Sequence, residues 1–110
     1  MSREDILAVL ETDMTDPGAW KSGEYLEEHV LAHAKQSLVV DRLGLVGALR
    51  EWLGTRGEPR TMLAVSVAQE LSLKELRPDI EILKREIVDH NIFPSFYLRD
   101  IDRALEMLED

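Results

Sequence analysis

The side chains whose spacing most plainly invites chemistry are His29 and His33, because imidazoles at i and i+4 on one helix face can share a metal ion. The string is His-Val-Leu-Ala-His, so the glutamate that follows the first histidine in the metalloprotease motif is missing. Glu27 and Glu28 precede the pair, and His90 is the only other histidine. A third ligand would have to be a carboxylate such as Glu24, or come from another chain. One reading is therefore a metal-dependent hydrolase or metal-binding protein centred on His29 and His33; the plainer one is a pair of ordinary surface or half-buried histidines. The chain has no cysteine, which excludes disulfides, thiolate nucleophiles and Cys-ligated zinc.

Other candidates are weaker. Acidic neighbours such as Asp100 and Asp102, or Glu27 and Glu28, point to different sides of a helix and do not converge on a cation or a substrate. They read as solvated faces and as favourable charges near helix N-termini. Ser37, Ser66, Ser72 and Ser95 have no partner in the local sequence that would activate a hydroxyl. There is no Gly-rich phosphate loop, no Gly-x-Ser-x-Gly elbow and no kinase signature. The expectation is a protein without catalytic activity of its own and without a cofactor.

Charge narrows the range of partners. Thirteen Lys and Arg against 22 Asp and Glu give a net charge of -9, which repels phosphate backbones and anionic membranes. Residues 1 to 28 hold eight acids and two bases, residues 29 to 60 three acids and five bases, and residues 61 to 110 eleven acids and six bases. No apolar run approaches the roughly 20 residues that span a bilayer, and the acidic start leads into a short amphipathic stretch. A cytoplasmic protein that binds neither nucleic acid nor membrane is expected.

The elements that would position these residues are all helical. With 110 residues, 45% of them apolar and 32% charged, the chain fits a single helical domain over 1–110. Ser2 and Asp5 have the form of a capping box, followed by Ile6, Leu7 and Leu10 at helical spacing, which predicts a helix over about 3–12. Asp16-Pro17-Gly18 has the composition of a turn. Leu26, Val30, Ala34 and Leu38 mark a second helix. Asp41 is placed to cap a third, carrying Leu45, Val46, Leu49, Trp52 and Leu53 and stopping at Gly54 to Gly57. Pro59 and Pro78 suit the first turns of a fourth helix (Ala64, Val67, Ala68, Leu71) and a fifth (Ile80, Leu83, Ile87). A last helix begins near Leu98 or Asp100 and carries Ile101, Ala104, Leu105 and Leu108. Leu38-Val39-Val40 is too short to read as a strand.

A shift of 34 residues brings Val30 onto Ala64, Ala34 onto Ala68, Val46 onto Ile80, Ala48 onto Ile82, Leu49 onto Leu83, Arg50 onto Lys84 and Leu53 onto Ile87. The second and third helices are thus plausible copies of the fourth and fifth, a two-helix unit of the length used by α-solenoids. The segment Glu58-Pro59-Arg60 with Ala64, Ala68 and Leu71, then Ile80, Leu83 and Ile87, resembles the short HEAT-like repeats of bacterial proteins over roughly residues 25 to 90. The first copy lacks the opening Pro-Arg pair. The resemblance implies an α-α superhelix of two hairpins with terminal capping helices, and an irregular six-helix bundle is the alternative.

The resemblance also implies a protein-protein interaction module, an adaptor or assembly subunit. An open solenoid end would further allow a homo-oligomer. Trp52 aligns with Glu86 in the shifted copy, so it is expected to be partly exposed beside Arg50, and Trp and Arg are common at binding hot spots. Arg50 and Lys84 would form a short basic stripe on the surface lined by the second helix of each pair. Partner binding is accordingly assigned to Arg50, Trp52 and Lys84, with Trp20 and Phe93-Pro94-Ser95-Phe96-Tyr97 as a second candidate. An acidic inhibitor or immunity-like protein that sequesters a basic partner is the other non-catalytic reading.

Overall fold

The computed structural model describes residues 2–15 and 23–109. Among them are six α-helices and no strand: α1 (Arg3–Thr15), α2 (Gly23–Val40), α3 (Arg42–Thr55), α4 (Glu58–Glu70), α5 (Arg77–His90) and α6 (Leu98–Met107). The all-α class expected from patterning is what forms. The Asp16-Pro17-Gly18 turn, Trp20 and the Glu24 side chain lie outside the described residues. The chain divides into two compact units, Met1–Leu49 and Arg50–Asp110.

In the first unit, the capping box at α1 is closed from both sides. The Asp5 amide donates to Ser2 Oγ at 3.3 Å, and the Ser2 amide donates to Asp5 Oδ2 at 3.1 Å. The Ser2 amide first, and then the Ser2 hydroxyl donating to Asp5 Oδ2 at 3.0 Å, hold the Asp5 carboxyl below the usual carboxylate range. α1 packs on α2, and the core takes Ile6, Leu10 and Met14 from α1, Leu26, Val30 and Ala34 from α2, and Leu45, Val46, Ala48 and Leu49 from α3. On α2 the buried stripe passes through Ser37 rather than Leu38: Ser37 is 4% exposed and Leu38 half-buried. A single residue, Asp41, separates α2 from α3, and it caps α3 as expected by accepting from the Gly44 amide at 3.0 Å. A Cβ at Gly44 would lie 3.0 Å from Ile6 Cδ1 and 2.5 Å from the capping carboxylate, so glycine lets α3 start close against α1.

In the second unit, Pro59 and Pro78 occupy the first turns of α4 and α5. α6 lays Ile101 and Ala104 against both of those helices. α3 stops inside the Gly54 to Gly57 segment, as expected. Its left-handed terminal residue is not a glycine but Arg56, with φ 55. The Arg56 side chain folds back to donate to the Leu53 carbonyl, and it grips Glu86 on α5 with two bonds, Nη2 to Oε2 at 2.6 Å and Nε to Oε1 at 3.2 Å. The Trp52 carbonyl accepts from Thr55 Oγ1 and from the fully buried Thr61 Oγ1, each at 2.9 Å. Asn91 supplies the left-handed cap of α5, a role to which its side chain is suited. Tyr97, in a short turn before α6, donates its hydroxyl to Glu58 at 2.6 Å.

The second helix pair starts at Glu58 and Arg77, where the first starts at Gly23 and Arg42. The shifted pairs Val30 and Ala64, Ala34 and Ala68, Val46 and Ile80, Leu49 and Leu83, and Leu53 and Ile87 are buried in both copies. Ala48 and Ile82 are not matched: the alanine is buried and the isoleucine is 46% exposed.

Two predictions follow from these clasps. The Arg56 hydrogen bonds hold the Glu86 carboxyl below its ordinary range, so its contribution is present above the unfolded value of about 4.3 and fades as pH falls. Glu86→Gln should cost about 1 kcal/mol in urea unfolding at pH 7, an exposed-pair magnitude because both partners are partly solvated, and the difference from wild type should shrink as acid protonates the carboxyl. The Glu58 bond, with burial and charge adding, pushes the Tyr97 hydroxyl up to about 12. Its stabilisation is therefore intact below about pH 10 and lost as pH rises through the folded value. Absorbance titration of a Tyr25→Phe variant, which leaves Tyr97 as the only tyrosine, should show its phenolate forming near 12.

Candidate functional site

Asp13 is the one carboxylate drawn into the core stripe of α1. It follows Ile6 by seven residues and Leu10 by three, and it is buried together with both. Such a group must be paired. Its partner is His33 on α2, whose Nδ1 lies 2.6 Å from Asp13 Oδ2, with side-chain exposures of 8% for Asp13 and 36% for His33. The carboxylate fixes the ring and leaves Nε2 as its remaining polar atom.

Ser37, one turn further along α2, does not complete a nucleophilic arrangement. Its hydroxyl donates to the His33 carbonyl at 3.0 Å, the common i to i−4 bond of a helical serine. Nor do His29 and His33 converge on an ion. Their rings stand edge to face with centroids 6.5 Å apart, whereas bonds of 2.0–2.1 Å to one tetrahedral ion would hold the ring centres about 5 Å apart. Among the described residues no three His, Cys, Asp or Glu side chains gather to hold a metal.

His33 and Ser37 do border something else. With Val9, Gln36, Val39 and Val40 they line an open groove of about 640 Å³ in the first unit. At the joint between α2 and α3, three large apolar side chains point outward: Val39 is 87% exposed, Val40 64% and Leu43 78%. Among the described residues, no ionisable side chain other than the Asp13-paired His33 lines the groove.

The residues assigned to partner binding from sequence are placed differently. Trp52 is not partly exposed; it is 1% exposed and among the largest fully buried side chains. The inference from its alignment with Glu86 fails because Glu86 is not a freely solvated position: Arg56 grips its carboxylate, so a glutamate is tolerated where the first copy has core. Arg50 donates through Nε to Asp79 at 3.1 Å and through Nη2 to the Glu75 carbonyl at 3.0 Å. Lys84 Nζ lies 2.6 Å from Asp102 Oδ1. Each of the two cations thus has an intrachain carboxylate rather than forming a free basic stripe. In the aromatic segment, Phe93 is buried while Phe96 is 68% exposed.

Sequence reasoning missed Asp13 and the apolar joint, although both leave a trace. Asp13 falls in helical register with Ile6 and Leu10. Leu38, Val39 and Val40 in one helix cannot all face a core when successive residues turn by about 100°.

Compared with known proteins, the chain matches no family model, no curated protein and no solved structure. Among the described residues, no helix is long and apolar enough to cross a membrane.

The Asp13–His33 pair can be tested by a double-mutant cycle. His33→Ala leaves a buried carboxylate unpaired and should cost about 2–3 kcal/mol, while Asp13→Ala with His33→Ala should cost less than the two single changes added, with a coupling of about 1–2 kcal/mol in urea unfolding.

Proposed function

We propose that the chain is a non-catalytic protein-protein interaction module, an adaptor or assembly subunit of the cytoplasm. Its docking surface is the apolar joint and groove of the first unit rather than Arg50, Trp52 and Lys84. The observation that carries the reading is the outward display of Val39, Val40 and Leu43 beside the groove lined by Val9, Gln36 and the His33 edge. Contiguous apolar surface of this kind on a charged molecule marks a place where another surface is received. With so little charge in the lining, the fitting occupant is the apolar face of a partner helix, recognised by shape and burial. The HEAT-like architecture belongs to the same proposal, supported by the shared burial register of α2–α3 and α4–α5.

The test uses a photo-crosslinking residue at position 39 or 43 in the source cell, identification of the crosslinked chain, and reconstitution with that chain in pure form. Val39→Glu with Leu43→Glu should weaken the reconstituted complex by about tenfold or more, with thermal stability within about 0.5 kcal/mol of wild type because both positions are exposed. Equal binding by the double variant, or no specific crosslink, would defeat the proposal. Crosslinks confined to a second copy would make the joint a self-association surface instead.

A further inference from the structure

A docked helix must satisfy every polar atom that its arrival removes from water, so the polar atoms of the groove in the first unit decide what chemistry its occupant carries. Val9, Val39 and Val40 offer no polar side-chain atom. Ser37 is buried, and its hydroxyl already donates to the His33 carbonyl. Gln36 is exposed, and its long carboxamide carries both donors and an acceptor and can turn back to water. It selects no particular partner.

His33 is different because its ring is not free to turn. Nδ1 lies 2.6 Å from the buried Asp13 carboxylate, and rotating the ring would strand that charge in the core. With this edge turned inward, the exposed part of the side chain is the rest of the ring, where Nε2 is the remaining polar atom. Nε2 has no hydrogen-bond partner among the described residues, and it is not a buried orphan; Arg77 Nε is the only such atom among them. The groove therefore presents one polar atom at a fixed place in a lining that is otherwise apolar, satisfied or adaptable.

We propose that His33 Nε2 determines the specificity of the groove, and that the occupant is a helix carrying one hydroxyl, from serine, threonine or tyrosine, within its apolar face. The inference rests on the reading of the groove as the docking site. A wholly apolar helix that covered Nε2 would leave it with neither water nor partner and lose affinity. In the neutral imidazole the carboxylate holds the proton on Nδ1, so Nε2 accepts; in the imidazolium Nε2 donates. An ammonium group suits only the first state and a carboxylate only the second, and each brings a full charge into an apolar lining. A hydroxyl suits both states, donating its proton in one and accepting through its oxygen in the other by rotating in place. A carboxamide would have to turn end for end to do the same.

The experiment selects helices against the full chain from a displayed library whose apolar face is randomised, then measures the selected peptides in synthetic form by fluorescence anisotropy. The selected helices should carry a hydroxyl on the apolar face. Replacing it by the nearest apolar residue (threonine by valine, serine by alanine, tyrosine by phenylalanine) should weaken binding about tenfold. That difference should fall below about twofold on a chain with Asp13→Leu and His33→Phe, which removes Nε2 together with the carboxylate it pairs with, so that no charge is left buried alone. Asp13→Ala with His33→Ala replaces that variant if a thermal melt shows disturbed folding. No selected helix, or helices that bind Val39→Glu with Leu43→Glu as tightly as wild type, would overturn docking at the groove and this inference with it. Helices that need the groove but carry no hydroxyl, or whose loss of the hydroxyl costs as much without His33 as with it, would overturn the inference alone.

Discussion

A helix that ends against a core must find donors for its last carbonyls, and the second unit is arranged around that requirement at the end of α3. The Trp52 ring is buried, so its carbonyl cannot simply turn to water. Thr55 and the fully buried Thr61 supply two hydroxyl donors. The next carbonyl, that of Leu53, is covered by the Arg56 side chain. Arg56 then spends its other donors on Glu86, which ties the end of α3 to α5. Termination of one helix, placement of the next and tethering of a third are thus a single event. Its left-handed backbone falls on an arginine because the side chain returns more in hydrogen bonds than a glycine could offer.

Much of this architecture is legible in the sequence. The Ser2 and Asp5 box, the Asp41 cap and the prolines at positions 59 and 78 stand where local chemistry places them. These features need only residues three or four apart, so a linear reading captures them. The apolar stripes of α3, α5 and α6 follow for the same reason.

The functional surfaces are less legible because they depend on what is far away in sequence. Trp52 sits at helical spacing from Leu45, Ala48 and Leu49, which is a core pattern. The comparison with Glu86 pulled the expectation outward because the role of Arg56, thirty residues earlier, is invisible in an alignment of the chain with itself. His33 likewise looks like half of a metal pair until Asp13, twenty residues upstream, claims its Nδ1. For Arg50 and Lys84 the residue types read as a basic stripe, whereas the carboxylates that neutralise them come from other helices.

The joint at Asp41 carries a further consequence. The last bond of α2 and the first of α3 both fall on this residue: the Asp41 amide donates to the Ser37 carbonyl at 2.7 Å and the Leu45 amide to the Asp41 carbonyl at 3.1 Å, while the Gly44 amide turns to the Asp41 side chain. With that one residue ending α2 and capping α3, the connection has no slack. One residue added or removed there would displace the cap and the close start of α3 at Gly44, and with them the packing of Leu45 and Leu49 in the core of Ile6 and Leu10. Most connections between helices tolerate changes of length. This one is held to its length by the cap and the close helix start, so variation in this protein should alter the identity of the residues around Asp41 long before it alters their number.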